Sequence, residues 1–348
     1  MLRGEAMRVT VKDIANHLGI AQGTVSKALM GKSGVSQKTR EMVLKAAEKL
    51  GYKVNRVAQT LSRSTIHIGV IAAKEWIEYN GQITEGIEEE AENLSDYNVE
   101  TEFLWVENPM SDTEVEAAIR TLKERKVSAV LFCLATVEKY IRALQPLVSD
   151  GIPVVVVGAG VECKGKLPAV RLDAHTAGRL AAEFMCHLVP EDKATVIFTG
   201  NKDILEHSDK VRGYQEEMND QGRKVIGVFE TQDDPDLAYA LTQNVLGRHT
   251  NLGGIYVATG NSISVCDYIE QQGASGTIKV IGTDIYPETV AKMHKGTMQG
   301  IIFQNPKKQG RIAIKTVYKW LSERKAAPEE VLIAPQLVLR SNLNDVFE

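Results

Sequence analysis

The residues able to do covalent chemistry are present in this chain but not arranged for it. There is no Gly-x-Ser-x-Gly elbow, no His-Glu-x-x-His and no phosphate-cradling glycine loop ending in Lys-Ser/Thr. Gly158-Ala-Gly160 lacks the third glycine of a dinucleotide turn and reads as an ordinary turn after a strand. Cys133, Cys163, Cys186 and Cys266 are far apart, with no Cys-x-x-Cys, and the seven His form no ligand-spaced cluster, so no metal and no cofactor is expected. Glu88-Glu89-Glu90 reads as a solvated helix face. The residues that stand out are suited to binding. Gln22 and Lys27 carry long polar side chains able to hydrogen-bond a partner. Asp284 and Gln304, at the ends of strand-like runs, can bond hydroxyl groups, while Trp76 and Tyr79 can stack on a flat apolar face.

Gln22 and Lys27 need a rigid element to present them. Val11, Ile14, Ala15 and Leu18 recur at i, i+3, i+4 and i+7, one apolar face of a short helix with Thr10 as its cap. Gly19 stops that helix and Ile20 plugs a tight turn. Ala21-Gln-Gly-Thr24 then opens a second helix whose Val25, Ala28 and Leu29 face inward. Two short helices on a turn of this length form either an ordinary helical hairpin or a helix-turn-helix, whose second helix enters the DNA major groove. Ser36 caps a third helix from Gln37 to Leu50, with Val43, Leu44, Ala47 and Leu50 on one face.

The charge balance favours the second alternative. Of the 41 Lys and Arg residues, 12 fall in positions 1–65, against 4 of the 45 Asp and Glu, a balance of +8. The rest of the chain carries −12, so the overall −4 averages a basic head and an acidic body. At 348 residues and 43% hydrophobic, the chain can fill two or three cores. It has no run of 18 apolar residues, and Met1-Leu-Arg-Gly-Glu-Ala is not a signal sequence. A cytoplasmic protein with no membrane contact, its thiols kept reduced, is expected.

Residues 9–61 resemble the DNA-binding head and hinge of the LacI/GalR family of bacterial transcription regulators. The resemblance rests on Val-Thr-Val-Lys-Asp-Ile-Ala, Gly-Ile-Ala-Gln-Gly-Thr-Val-Ser-Lys-Ala-Leu, Val-Ser-Gln-Lys-Thr-Arg and Leu-Gly-Tyr-Lys-Val-Asn-Arg-Val-Ala-Gln-Thr-Leu, without a gap. It implies that Gln22, Gly23 and Lys27 face base edges, Gly23 without a side chain and Lys27 where Arg is common. It further implies DNA contacts from Thr10, Thr24, Ser26, Ser36, Thr39, Tyr52, Asn55, Arg56 and Ala58, mostly to phosphates. Leu61, on the hinge helix, would wedge into the minor groove at the operator centre and kink it. Ala21 and Met30 depart from the polar residues often found there.

From Ile66 onward strand-like and helical patterns alternate, as in a parallel α/β fold with helices on both faces of its sheets. Strands are expected at Val99–Val106, Ala129–Leu134, Val154–Val157, Thr195–Thr199, Val225–Glu230, Gly254–Ala258, Lys279–Thr283 and Gly300–Phe303. The body is similar to two-lobed periplasmic sugar-binding proteins with three crossovers, on Gly86-Ile-Glu-Glu-Glu-Ala, Ile152-Pro-Val-Val-Val-Val, Arg171-Leu-Asp173, Arg212-Gly-Tyr-Gln-Glu, Val280-Ile-Gly-Thr-Asp284 and Leu337-Val-Leu-Arg-Ser341.

The expected organisation is a head at 1–54, a hinge helix and linker at 55–65, and an effector and dimerisation domain at 66–342. Its first lobe would span about 66–168 and 304–326, its second about 169–303 and 327–342. The resemblance implies an effector between the lobes, held by Trp76, Tyr79, Lys210, Thr259, Asn261, Asp284 and Gln304. Lys210 stands where many sugar-responsive members carry Arg, and Ala258-Thr-Gly-Asn261 where the family often has Ala-Asn-Asp. The expected function is that of a homodimeric regulator, a repressor rather than an enzyme. It would read an inverted-repeat operator in double-stranded DNA under control of a carbohydrate-like effector. The alternative is a body that responds to a protein partner such as a phosphocarrier protein.

Overall fold

The computed structural model describes residues 11–29, 34–50, 65–74, 77–160, 167–323 and 326–347. The chain divides into two compact units, Met1–Arg63 and Ser64–Glu348. In the first, α1 (Val11–Leu18), α2 (Gln22–Leu29) and α3 (Gln37–Lys49) close on Ile14, Ala15, Val25, Ala28, Val43, Ala46 and Ala47. Gly19 ends α1 at φ 64°, and the Ile20 N–H reaches back to the Ala15 carbonyl at 3.1 Å while Ile20 packs on the core. Leu44, placed on the inner face by periodicity, is 49% exposed; Ala46 takes the buried position instead. Ser36 Oγ accepts from the Thr39 N–H at 3.2 Å and so caps α3.

The second unit holds two six-stranded sheets. In chain order its elements begin β1 (Ile66–Ala73), α4 (Ile77–Asn93), β2 (Val99–Val106), α5 (Asp112–Glu124), β3 (Ala129–Cys133), α6 (Val137–Ser149), β4 (Val154–Val157) and β5 (Ala169–Leu172). There follow α7 (Ala174–Leu188), β6 (Ala194–Thr199), α8 (Leu205–Asp220), β7 (Val225–Glu230), α9 (Pro235–Arg248), β8 (Leu252–Val257), α10 (Ser262–Gln271), β9 (Lys279–Thr283), α11 (Pro287–Lys295) and β10 (Gly300–Phe303). The chain ends with α12 (Pro306–Glu323), β11 (Glu330–Ile333), β12 (Gln336–Val338) and α13 (Asn344–Phe347).

The first sheet has the order β11-β5-β4-β3-β1-β2 and is parallel throughout. The second has the order β12-β10-β9-β8-β6-β7, parallel except that β12 runs against β10. Central strands such as β3, β4, β6 and β8 are buried along their whole length, as expected when helices cover both faces.

The expected lobe boundaries move. Residues 169–172 and 330–333 belong to the first sheet, not the second lobe, because Ala169-Val-Arg-Leu172 completes that sheet between β4 and β11. Gly158 N–H bonds the Val170 carbonyl at 2.9 Å, and Asp173 N–H bonds that of Ile333 at 2.9 Å. The three crossings fall at Asp173, at Gln304-Asn305 and at residues 334–335.

Two helix pairs pack with almost no gap. A Cβ on Gly86 would lie 2.0 Å from the Lys307 carbonyl oxygen, and one on Gly310 2.0 Å from that of Ile83, locking α4 to α12. Gly178 and Gly213 stand in the same relation, 2.0 Å from the Lys210 oxygen and 2.1 Å from that of His175, locking α7 to α8. The second lock fixes the helix that carries much of the cleft wall.

Candidate ligand cleft and nucleic-acid interface

At the carboxyl ends of the strands in both sheets lies a cavity of about 920 Å³. Parallel sheets gather their variable loops at this end, which is where such folds hold ligands. From the first lobe it is lined by Ala73 at the end of β1, Tyr79 and Ile83 on α4, Cys133 and Leu134 at the end of β3, and Val157 and Gly158 at the end of β4. This wall is mostly apolar. Gly158 stands at φ 80°, and a Cβ there would meet Ile83 Cδ1 at 2.9 Å, so the glycine lets Tyr79 and Ile83 close onto the strand end.

The opposite wall is polar: Asn201, Glu206, His207, Lys210, Asp233, Thr259, Asp284, Tyr286 and Gln304. Asp284 follows β9 and is 5% exposed; its Oδ2 accepts from Gln304 Nε2 at 2.7 Å and from the Tyr286 hydroxyl at 3.4 Å. Its Oδ1 meets no donor among the described residues. Burial pushes its carboxyl up to about 6, against the pull of Lys210 and the Gln304 and Tyr286 hydrogen bonds. Asp284 does not cap α11; the Tyr286 N–H bonds Thr289 Oγ1 at 2.8 Å and fills that role.

Lys210 lies inside the cavity wall, 2% exposed, and its Nζ donates to the Ala258 carbonyl at 3.0 Å. Burial lowers its ammonium, and Asp284, Glu206 and Asp233 oppose that shift. Glu206, on the first turn of α8, is raised to about 7 by burial, with Arg171 opposing. His207 is lowered by burial and by Lys210, while its Nδ1 lies 3.0 Å from the Asn201 carbonyl. Thr259 donates its hydroxyl to Asp233 Oδ1. Behind this wall Arg171 of β5 reaches Glu330 at 3.2 Å, Asp209 at 3.4 Å and Glu206 at 3.7 Å, which ties the first sheet to α8.

Four residues without a glycine's freedom are left-handed at this end of the second sheet: Gln232 (φ 53°), Asp233 (56°), Asp284 (66°) and Asn305 (52°). Such conformations cost about 1–3 kcal/mol each and cluster where a site imposes them. Here they turn the chain sharply out of β7, β9 and β10.

The sequence-based expectations therefore meet the cleft in part. Tyr79, Lys210, Thr259, Asp284 and Gln304 line it together. Asn261 does not: it is buried one layer back, where its Nδ2 donates to Thr231 Oγ1 at 3.1 Å. Trp76 lies outside the described residues. Glu206, His207 and Asp233 were not anticipated. Glu206 and His207 lie on the first turn of α8, which begins at Leu205, and Asp233 lies on the loop after β7.

On the first unit, α2 buries Val25 and Ala28 and leaves Gln22, Gly23 and Lys27 exposed, with Thr24 and Ser26 half-buried beside them. Ser36 and Thr39 sit together at the amino end of α3, their hydroxyls 2.8 Å apart. That end points free N–H groups outward, an arrangement suited to phosphate. Thr10, Tyr52, Asn55, Arg56, Ala58 and Leu61 lie outside the described residues. Among the described residues no helix is long and apolar enough to cross a membrane, and no three side chains gather as metal ligands.

Comparison with known proteins agrees with both halves. Residues 10–55 match the family of bacterial regulatory proteins of the lacI type, and residues 68–325 match a periplasmic binding protein domain. The chain is 25% identical to catabolite control protein A of Priestia megaterium over 287 residues, 80% of this chain and 83% of that one. It is 29% identical to the protein of the same name from Streptococcus mutans over 243 residues, 68% and 69% of the two chains. Among solved structures, a periplasmic solute-binding protein of an ABC transporter from Actinobacillus succinogenes, with bound D-allose, superposes with a TM-score of 0.73 at 22% identity. It covers 80% of this chain and 99% of its own, a likeness that speaks for the fold. The chain belongs to the LacI family of bacterial transcriptional regulators, with a helix-turn-helix head before a body of periplasmic-binding-protein fold.

Proposed function

We propose that the protein is a homodimeric repressor in the cytoplasm that reads an inverted-repeat operator and is controlled by a carbohydrate-like effector in the cleft. The observation that carries this reading is the cavity itself. It is placed between two lobes that the chain crosses three times, with one apolar and one polar wall. A sugar ring has the same two aspects, C–H faces and hydroxyl edges, and the solute-binding relative named above holds D-allose. A ligand touching both walls changes the angle between lobes, and a change there can alter the spacing of two heads on DNA. On this reading the site works by binding.

Dimerisation has its own support. β2 and β7 are the edge strands of the two sheets, and both carry half-buried apolar residues that an unpaired edge ordinarily avoids. Trp105 on β2 is 39% exposed and stacks on Phe103 with ring centroids 6.0 Å apart. A two-fold dimer presents two α2 helices to two half-sites, which demands an inverted repeat.

The test has two arms on the purified full chain. Selection from random double-stranded DNA is expected to enrich an inverted repeat, and a thermal-shift screen of sugars, polyols and derivatives to find a dose-dependent rise. Failure to enrich any sequence would overturn the DNA reading. A flat thermal response would overturn the effector reading and favour a body that senses a protein partner.

A further inference from the structure

The polar wall of the cleft carries a surplus of negative charge. Glu206, Asp233 and Asp284 line it. Of the lysines beside them, Lys139 holds Asp112 at 2.9 Å and Lys202 holds Glu230 at 3.0 Å. That leaves Lys210, among the described lining residues, to answer three carboxylates, and its Nζ already donates to a backbone carbonyl. Arg171 behind the wall is engaged by Glu330, Asp209 and Glu206, so its guanidinium is committed.

Two acceptors are left over. Glu206 Oε1 and Asp284 Oδ1 find no hydrogen-bond donor among the described residues, and the two residues are 7% and 5% exposed. Arg171 Nη1 lies 3.7 Å from Glu206 Oε1, within ion-pair range but beyond hydrogen-bond reach. A buried carboxylate oxygen without a donor is costly, and a ligand that brings donors relieves the cost. An anion would instead face the carboxylates of Asp233 and Asp284 and, above about pH 7, that of Glu206.

We propose that the effector is a cationic aminopolyol, such as an amino sugar, whose ammonium and neighbouring hydroxyls donate to Glu206 Oε1 and Asp284 Oδ1. This deepens the effector reading above and rests on it. The ring's C–H face lies against Tyr79, Ile83 and Leu134 on the apolar wall. An ammonium supplies three donors and a charge; a hydroxyl at the same place supplies one donor and none. The groups facing Glu206 are Arg171, Asp209, Lys210 and Tyr79, and those facing Asp284 are Lys210, Tyr79, Tyr256, Tyr286 and Gln304. Both carboxyls must be ionised to receive the cation. Since they titrate near 7 and 6 in the free protein, amine affinity rises from about pH 5.5 to about pH 7.5.

Calorimetric titration of the full-length protein with D-glucosamine, D-galactosamine and D-mannosamine tests this. Their parent hexoses, N-acetyl derivatives and 6-phosphates serve as matched probes. At least one amine is expected to bind about tenfold or more tightly than both its hexose and its N-acetyl derivative. Glu206→Gln and Asp284→Asn should each bring that ratio towards one, a change that general loss of folding does not produce. A hexose or phosphate that binds as tightly as the amine would overturn the proposal while leaving the effector cleft standing. So would a ratio that survives both substitutions. No binding by any probe would overturn the effector reading itself, and this proposal with it.

Discussion

Gln304 Nε2 donates to Asp284 Oδ2 at 2.7 Å, joining the carboxyl ends of the neighbouring strands β9 and β10 while Asp284 Oδ1 meets no donor among the described residues. The pair fixes a carboxylate in place and leaves half of it for something else. Asp284→Asn should keep the backbone, because Asn tolerates the left-handed φ of 66°. It should weaken the effector by about tenfold or more, the worth of a charge-assisted hydrogen bond. Asp284→Ala should lose the same affinity and also about 1 kcal/mol of stability to backbone strain. Ligand-dependent thermal shifts of both variants separate the two effects.

Burial of two acids gives the stability of the free protein a definite pH slope. Asp284 rises from 3.8 to about 6 and Glu206 from 4.5 to about 7 on folding. Between these values the folded chain holds protons that the unfolded chain releases, so stability is greater at the acidic end and falls as pH rises towards 7. The loss is on the order of 6 kcal/mol for the two together. Urea unfolding at about pH 5 and about pH 8 should show a shallower fall for the Glu206→Gln/Asp284→Asn double variant, which should be the more stable chain at the higher pH.

How much of this was legible in the sequence differs by element. Strands such as Val154–Val157 and Gly300–Phe303 were readable to the residue, because fully buried parallel strands are continuous apolar runs. Ala169–Leu172 and Glu330–Ile333 were placed in the wrong lobe because four residues do not reveal their neighbours; only pairing does. α6 carries Pro146 near its carboxyl end, a residue that interrupts the helical pattern in the sequence. In the site, Asp284 and Gln304 were visible as polar residues just past apolar strands. Glu206 and His207 were hidden inside what reads as a polar helix face, and Asn261 pointed to the cleft by motif but bonds Thr231 instead.

The α7–α8 contact links stability to the site. Gly178→Ala would place a methyl 2.0 Å from the Lys210 carbonyl oxygen, so α8 must shift with Glu206, His207 and Lys210 aboard. A stability loss of about 1–3 kcal/mol is expected, accompanied by weaker effector binding. Gly247, inside α9, whose Cβ would meet nothing within 4 Å, is the control: Gly247→Ala should lower neither stability nor effector binding.

Arg171 is the cation at the centre of three carboxylates from two lobes. Arg171→Met leaves Glu206, Asp209 and Glu330 without it and should destabilise the body by about 3–5 kcal/mol. Arg171→Lys should recover part of that, since an ammonium cannot span the partners as the guanidinium does. Thermal melting at neutral pH ranks the three chains.

In the head, Ser36→Ala removes the cap of α3 and should cost about 1 kcal/mol, weakening DNA binding at every sequence alike. Gln22→Ala, at an exposed position on α2, should leave melting unchanged and cost about 1–3 kcal/mol on the preferred sequence only. Binding to selected and scrambled duplexes distinguishes a positioning role from a reading role.

The central claim is that occupation of the cleft in the body governs DNA binding by the head. The most direct measurement is fluorescence anisotropy of the full-length protein on its selected duplex, titrated with and without the best ligand of the thermal screen. Wild type should change its DNA affinity at least fivefold on ligand, the scale of a coupling of about 1 kcal/mol. Asp284→Asn should keep its DNA affinity and lose the response. An unchanged response in Asp284→Asn, or a wild-type DNA affinity indifferent to a ligand that demonstrably binds, would contradict the account.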